Sequence, residues 1–249
     1  MIVLLTDFGL EGPYIGQVKA ALLRDAPGIP VIDLFSDLPP FDAQGAAYLL
    51  AAYADQFPEG TVFVGVVDPG VGSSRGGAVV CADGRWYVGP DNGLLTIAAR
   101  RAANPRWWDI TWHPAGCAAS FHGRDVFAPI AAGLARGEAV PGVLADPAQC
   151  VGAGWPDDLF QVVYLDRFGN AMTGARAEGL ADGDVVEVAG RTLPHASTFS
   201  DVPRGEGFWY ANANGLLELA VNQGRADRDL GLTLGTAVSV VRKGSRMSP

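Results

Sequence analysis

Aliphatic runs of strand length alternate with helix-length periodic segments from residue 2 to about residue 147, and beyond that the helical period stops. Residues 2–5, 31–34 and 61–67 are the aliphatic runs. The run at 61–67 is apolar almost throughout, as a strand covered on both faces must be. Between them, Tyr14, Val18, Ala21 and Leu22 recur at helical spacing, and Pro27-Gly28 stops that helix. Asp42 is placed to cap a second helix running to Ala54. Residues 94–103 and 126–135 read as two more. Asp83-Gly84 is a two-residue turn signal joining strands at 77–82 and 85–88 into a hairpin. This order predicts an α/β domain with a mostly parallel sheet.

From about residue 148 to 158 the chain is rich in Pro, Gly and Asp and reads as a linker. Short strand candidates follow at 161–165, 184–188, 191–193, 207–210, 216–221 and 237–242, separated by turns such as Asp182-Gly183 and Asn214-Gly215. The expected organisation is therefore an α/β domain at 1–147, a linker at 148–158, and a small all-β, barrel-like domain at 159–249.

Charge narrows the partners. Lys+Arg is 18 against Asp+Glu 27, a net charge of −9, and no basic stripe appears that would release counterions from a nucleic acid. A neutral or cationic small ligand suits the chain better. The only lysines are Lys19, in a helix pattern, and Lys243, in the tail, which disfavours Schiff-base chemistry. Cys81, Cys117 and Cys150 lie far apart with no C-x-x-C pair, so neither a zinc site nor a disulfide framework is expected. Apolar runs such as 46–54 are too short to span a bilayer, and residues 1–6 lack a basic leader region; a cytoplasmic protein is the expectation.

The chemically dense clusters sit at strand ends. Asp7, after the first strand, is placed either to accept from a ribose diol or to organise the turn before the next helix. In Asp68-Pro69-Gly70-Val71-Gly72-Ser73-Ser74-Arg75, the glycines expose backbone as a phosphate cradle would, but the G-K-[ST] ending is missing and Asp68 would repel phosphate. Asp68 and Arg75 also read as an ion pair closing the loop. Asp91 or Asn92, within Gly89-Pro90-Asp91-Asn92-Gly93, reads as a helix cap. Asp7, Asp68 and Asp91 are the only carboxylate set to weigh as a metal site, and the expectation is that no metal is used. His122, between Phe121 and Gly123 and next to Arg124-Asp125, is the histidine in a charged setting; His113 and His195 read as surface residues. Asp166-Arg167-Phe168-Gly169-Asn170 offers a carboxylate, an aromatic face and an amide, or simply a strand-to-turn corner.

Taken in order, these segments resemble the S-adenosyl-L-methionine (SAM) hydroxide adenosyltransferases, or SAM hydrolases, relatives of the fluorinase and chlorinase. The resemblance rests on T-D-F-G, V-V-D-P-G-V-G-x-x-R, V-G-P-D-N-G-L-L, F-H-G-R-D-V-F-A-P, D-R-F-G-N and G-L-L-E-L-A-V-N, spread over nearly the whole chain. It implies hydrolysis of SAM to adenosine and L-methionine without a cofactor, in homotrimers whose sites lie between subunits. Asp68, Arg75 and His122 match the set that positions and activates water. Asp7 matches the ribose carboxylate, Asp166 the methionine end, and Phe168 and Asn170 the adenine contacts. The segment 221–223, with Val221 and Gln223, matches the strand whose backbone reads the adenine edge. Phe8, Phe41 and Phe121 match pocket walls, with Val71 beside them. Gly123 is small, as it also is in chloride-using members. Halogenases replace Asp68 and His122 and carry an insertion for which the passage from Trp86 to Trp107 has little room. They also carry Ser-Arg where this chain has Ala213-Asn214, so the charged contact to the methionine carboxylate is missing here. A SAM or adenosine binder without turnover is the remaining alternative.

Overall fold

The computed structural model describes residues 1–243; residues 244–249, the end of the expected 159–249 domain, lie outside the described residues. The chain divides into two units, the first ending at Trp155 and the second beginning at Pro156.

The first unit contains β1 (Ile2–Thr6), α1 (Tyr14–Asp25), β2 (Val31–Phe35), α2 (Ala43–Ala54), β3 (Val62–Val66), β4 (Gly77–Ala82), β5 (Arg85–Pro90), α3 (Thr96–Arg101), β6 (Arg106–Ile110), α4 (Ala128–Ala135) and β7 (Gly142–Ala145). Its seven strands form one sheet in the order β2-β1-β3-β5-β4-β6-β7. The half β2-β1-β3-β5 is parallel, as the alternation predicted. The half β5-β4-β6-β7 is antiparallel, so the sheet is mixed and the expected mostly parallel sheet describes only its core. The cause is the β4–β5 hairpin, which reverses the chain through Asp83 and Gly84, both at positive φ.

Period-two alternation places the core on both faces. Val62, Val64 and Val66 of β3 join Val18 and Leu22 of α1 and Ile130 of α4 in one cluster. Phe63 points the other way and stacks on Tyr87 at 5.1 Å. α2 begins as expected: Asp42 accepts the Gly45 amide at 2.8 Å. β6 and β7 were not anticipated. β6 reads Arg-Trp-Trp-Asp-Ile, without an aliphatic run, and β7 is a short edge strand with Val143 and Leu144 exposed.

The second unit contains β8 (Leu159–Leu165), β9 (Ala171–Arg176), β10 (Val185–Val188), β11 (Arg191–Leu193), β12 (Gly207–Ala211), β13 (Leu216–Val221) and β14 (Val238–Val241). They form two antiparallel sheets, β12-β13-β9-β8 and β11-β10-β14. Val186, Val188 and Val238 of one share a core with Leu217, Leu219 and Val221 of the other. β9 escaped the sequence reading because Ala171, Gly174 and Ala175 blunt its strand signal. Among the described residues no helix is long and apolar enough to cross a membrane.

Replacing Asp42 by Ala removes the acceptor for the first turn of α2. A loss of about 1 kcal/mol is expected, read as a lower urea midpoint at an unchanged m-value.

Candidate active site

β1 and β3 are parallel neighbours with Thr6 opposite Val66, so the residues that follow them leave the sheet at the same carboxyl edge. Asp7 follows one and Asp68 the other, one residue beyond Val67. The Asp7 amide donates to the Val66 carbonyl at 3.3 Å. Its carboxylate accepts the Phe41 amide at 3.1 Å. Phe41 takes φ +68°, a left-handed conformation that a non-glycine residue holds only when its surroundings demand it. That turn leaves the Phe41 ring largely exposed. Burial pushes the Asp7 carboxyl above the usual carboxylate range, its backbone donors pull it back, and the Asp68 charge raises it further.

Asp68 and Arg75 form the ion pair that their spacing allowed. Arg75 Nε donates to Asp68 Oδ1 at 3.0 Å and Nη2 donates to Oδ2, a two-pronged contact. The side chains are only 5% and 10% exposed for Asp68 and Arg75, so the pair is held out of water. Arg75 Nη1 donates to the Gly76 carbonyl, and the guanidinium lies 5.6 Å from the centre of the Phe127 ring. The loop is tied internally as well: Ser73 Oγ donates to the Gly70 carbonyl at 2.6 Å and accepts the Arg75 amide at 3.2 Å. Gly72 sits at φ +79°, and a Cβ there would lie 2.8 Å from the Ala119 carbonyl oxygen. This contact seats the loop against the segment leading to His122.

His122 precedes a π-turn, Gly123–Phe127, that runs into α4. Its Nδ1 lies 3.4 Å from Arg75 Nη2. A guanidinium only donates, so Nδ1 accepts and the neutral ring carries its proton on Nε2. Desolvation, and then the Arg75 charge, hold the imidazole below its ordinary pKa. Gly123 is buried, and an added Cβ would stand 3.3 Å from the Phe8 ring and 3.5 Å from Val66.

These elements enclose a cavity of about 120 Å³. Asp7, Asp68, Ser120 and His122 supply its polar side chains. Phe8, Phe41, Val71, Phe121 and Gly123 line it, together with Val66 and Ser120, which sequence reasoning had not singled out. Phe8 and Phe121 meet edge-on at 5.8 Å, and Tyr14 braces both. Arg75 stands behind Asp68. A groove of about 810 Å³ lies elsewhere on this unit, but its Arg24 and Arg124 are each already paired with the adjacent aspartate.

Two sequence readings change here. Asn92 caps no helix. Its Nδ2 donates to the Val67 carbonyl at 2.8 Å and its Oδ1 accepts the Leu94 amide at 3.3 Å, which fixes the residue just before Asp68. α3 starts later, with Leu95 at its N-cap position and no side-chain cap bond. Nor is His195 a surface residue: its ring lies 4.5 Å from Trp209 and its side chain is 16% exposed. His113 is exposed, yet its ring centre stands 6.3 Å from that of His122. Among the described residues Asp7, Asp68 and Asp91 form no group able to hold a metal.

The second unit carries the other predicted residues. Asp166 accepts the Asn170 amide at 2.8 Å and Asn170 Nδ2 at 3.1 Å, closing the corner between β8 and β9. Asn170 is buried, while Phe168 is 72% exposed at the tip. Val221 is buried at the end of β13, and Gln223 follows at φ +53°.

Residues 2–143 match the SAM hydroxide adenosyltransferase N-terminal domain and residues 160–239 its C-terminal domain. The chain belongs to the SAM hydroxide adenosyltransferase family. A protein of Thermus thermophilus named (R)-S-adenosyl-L-methionine hydrolase is 44% identical, over 96% of this chain and 99% of its own. One of the same name from Salinispora arenicola is 39% identical, over 94% and 95%. Fluorinases are more distant, at 25% identity for that of Actinopolyspora mzabensis. A crystal structure of an uncharacterized conserved protein from Thermotoga maritima superposes with a TM-score of 0.87 at 31% identity, covering 97% of this chain and all of that one.

Replacing Arg75 by Gln removes a charge that opposes protonation of His122. The His122 imidazole is expected to titrate at higher pH in the variant, followed by its ring NMR resonances.

Proposed function

We propose that this chain hydrolyses S-adenosyl-L-methionine to adenosine and L-methionine, with water attacking C5′ in line with the departing sulfur. The observation that carries the reading is Asp68, Arg75 and His122 bonded in series beside an aromatic-walled cavity. The relatives' shared name supports it, and the R label in that name places the R configuration at the sulfonium, since L already specifies the amino-acid carbon.

The chemistry needs few parts. The C5′–S bond breaks with its electron pair going to sulfur, which leaves as a neutral thioether, so no acid is required on that side. A C5′–O bond forms from water, which must lose a proton as it attacks. Arg75 occupies one lone pair on each Asp68 oxygen, and the others remain to accept from that water. The guanidinium favours hydroxide character in the nucleophile. An imidazolium beside a guanidinium is disfavoured, and with Nδ1 taken by Arg75 the neutral His122 donates through Nε2, so the proton lost by the water goes to Asp68. Phe8, Phe121 and Val71 exclude competing water, and Asp7 takes the ribose diol.

Two carboxylates on one small cavity also bear on the nucleophile. A halide beside Asp7 would meet like charge, and Asp68, though its charge is paired with Arg75, offers only acceptor oxygens, to which water can donate and a halide cannot. This supports hydrolysis over halogenation. A pure binder, for its part, gains nothing from burying the Asp68–Arg75 pair beside a histidine.

The cavity is smaller than the roughly 300 Å³ at the lower end of small-molecule sites, so it suits the reacting end of the substrate. In this reading Asp166 takes the methionine end. Phe168, Asn170 and the segment 221–223 take adenine from the barrel-like domain of a neighbouring subunit in a homotrimer. The enzyme uses no cofactor or metal and works in the cytoplasm.

Incubation with resolved (R)- and (S)-SAM in ¹⁸O-labelled water, with and without chloride, tests the reaction. Adenosine labelled at the 5′ oxygen with equimolar methionine is expected; a 5′-chloronucleoside or intact SAM would refute hydrolysis. Asp68→Asn is expected to lower kcat by about 10²–10⁴-fold, the range of a lost proton acceptor. Unchanged turnover in that variant would remove Asp68 from the mechanism.

A further inference from the structure

β13 is buried along its whole length, yet its third residue is a glutamate. Glu218 is 2% exposed, flanked by Leu216, Leu217, Leu219, Ala220 and Val221. An aliphatic side chain would serve strand packing there without the cost of desolvating a carboxylate. What the carboxylate does is gather donors. Tyr210, directly opposite on β12, donates its hydroxyl to Oε1 at 2.6 Å. Asn212 Nδ2 donates to Oε2 at 2.9 Å. β13 also pairs with β9, Leu219 lying opposite Ala171, the residue after Asn170. Both hydrogen-bond partners are neutral, so they fix direction without cancelling charge.

Each asparagine then organises a segment. Asn170 donates to Asp166 with both its backbone and its side-chain nitrogen. Asn212 turns its Oδ1 to the amides of Asn214 and Leu216, at 2.9 and 3.0 Å, which shapes the 212–215 turn. These are the corner matched to the methionine and adenine contacts and the turn where the charged Ser-Arg contact is missing.

We infer that Glu218 is a positioning residue for substrate: its buried carboxylate ties Tyr210 and the 212–215 turn to β13, the strand that pairs with β9 beside the 166–170 corner, and so sets the groups that grip SAM. This rests on the SAM-hydrolase reading above. Burial raises the Glu218 pKa while the Tyr210 and Asn212 donors favour its ionised form, in keeping with a group retained for its acceptors. Glu218 stands apart in sequence from Asp68, Arg75 and His122 and makes no bond to them, so the inference separates substrate grip from turnover.

The test is Glu218→Gln, which keeps the shape and puts a donor where an acceptor stood. A rise in the KM for SAM of about 10-fold is expected, the equivalent of one charged hydrogen bond. Adenosine affinity measured by calorimetry should weaken in parallel, with kcat within about two-fold and cooperative unfolding retained. Tyr210→Phe should show the same pattern to a smaller degree, and it decides the matter if Glu218→Gln does not fold. A folded variant with unchanged KM and unchanged adenosine affinity would overturn the inference. So would a fall in kcat or in melting temperature at constant KM, which would leave Glu218 a purely structural group. A wild-type chain that neither turns over SAM nor binds adenosine is a separate result, and would overturn the hydrolase reading itself.

Discussion

The Asp68–Arg75 pair is the contact on which the first unit's site depends. Two charges this far from water carry a desolvation penalty that their attraction offsets only when geometry and the remaining hydrogen bonds are good. Here the fork, the Gly76 carbonyl and the Phe127 ring meet that condition. The pair in turn dictates the loop. Arg75 reaches Asp68 only if the chain doubles back within seven residues, which is what Ser73 and the tight seat of Gly72 against Ala119 accomplish. The same guanidinium then selects the His122 tautomer. One buried charge pair thus sets a loop path, a ring orientation and a proton position.

Glu218 meets the same difficulty differently. Asp68 is stabilised by a cation, which fits a group that must face a reacting water. Glu218 is stabilised by neutral hydroxyl and amide donors, which fits a group that holds neighbours in place. In both cases the nature of the partners marks the task the carboxylate performs.

Much of this was legible from residue order. The aliphatic runs marked β1, β2 and β3, Asp42 capped α2 as expected, and Asp83-Gly84 made the hairpin. The predicted cavity residues that follow β1 and β3 meet because those strands are adjacent, a strand order that the alternating pattern did not specify. Less legible were elements whose identity comes from partners. β6 is a strand because β4 offers it an edge, and its two tryptophans show no clean period. Asn92 looked like a cap because caps and latches use the same side chain; only the position of the Val67 carbonyl tells them apart. Glu218 lay inside a recognised motif yet suggested nothing, since its donors, Tyr210 and Asn212, come from the opposite strand and the turn that follows it.

The π-turn at Gly123–Phe127 has a consequence for how such a chain can change over time. Its widened ring, closed by the Ala128 amide on the Gly123 carbonyl, holds one residue more than an α-turn would. Each residue of an α-helix rotates the side-chain direction by about 100°. Deleting one residue from this turn would leave α4 packed on the sheet while swinging His122 away from Arg75. Histidine and helix are therefore inherited on separate terms: a single codon lost here would retire the chemistry and spare the scaffold.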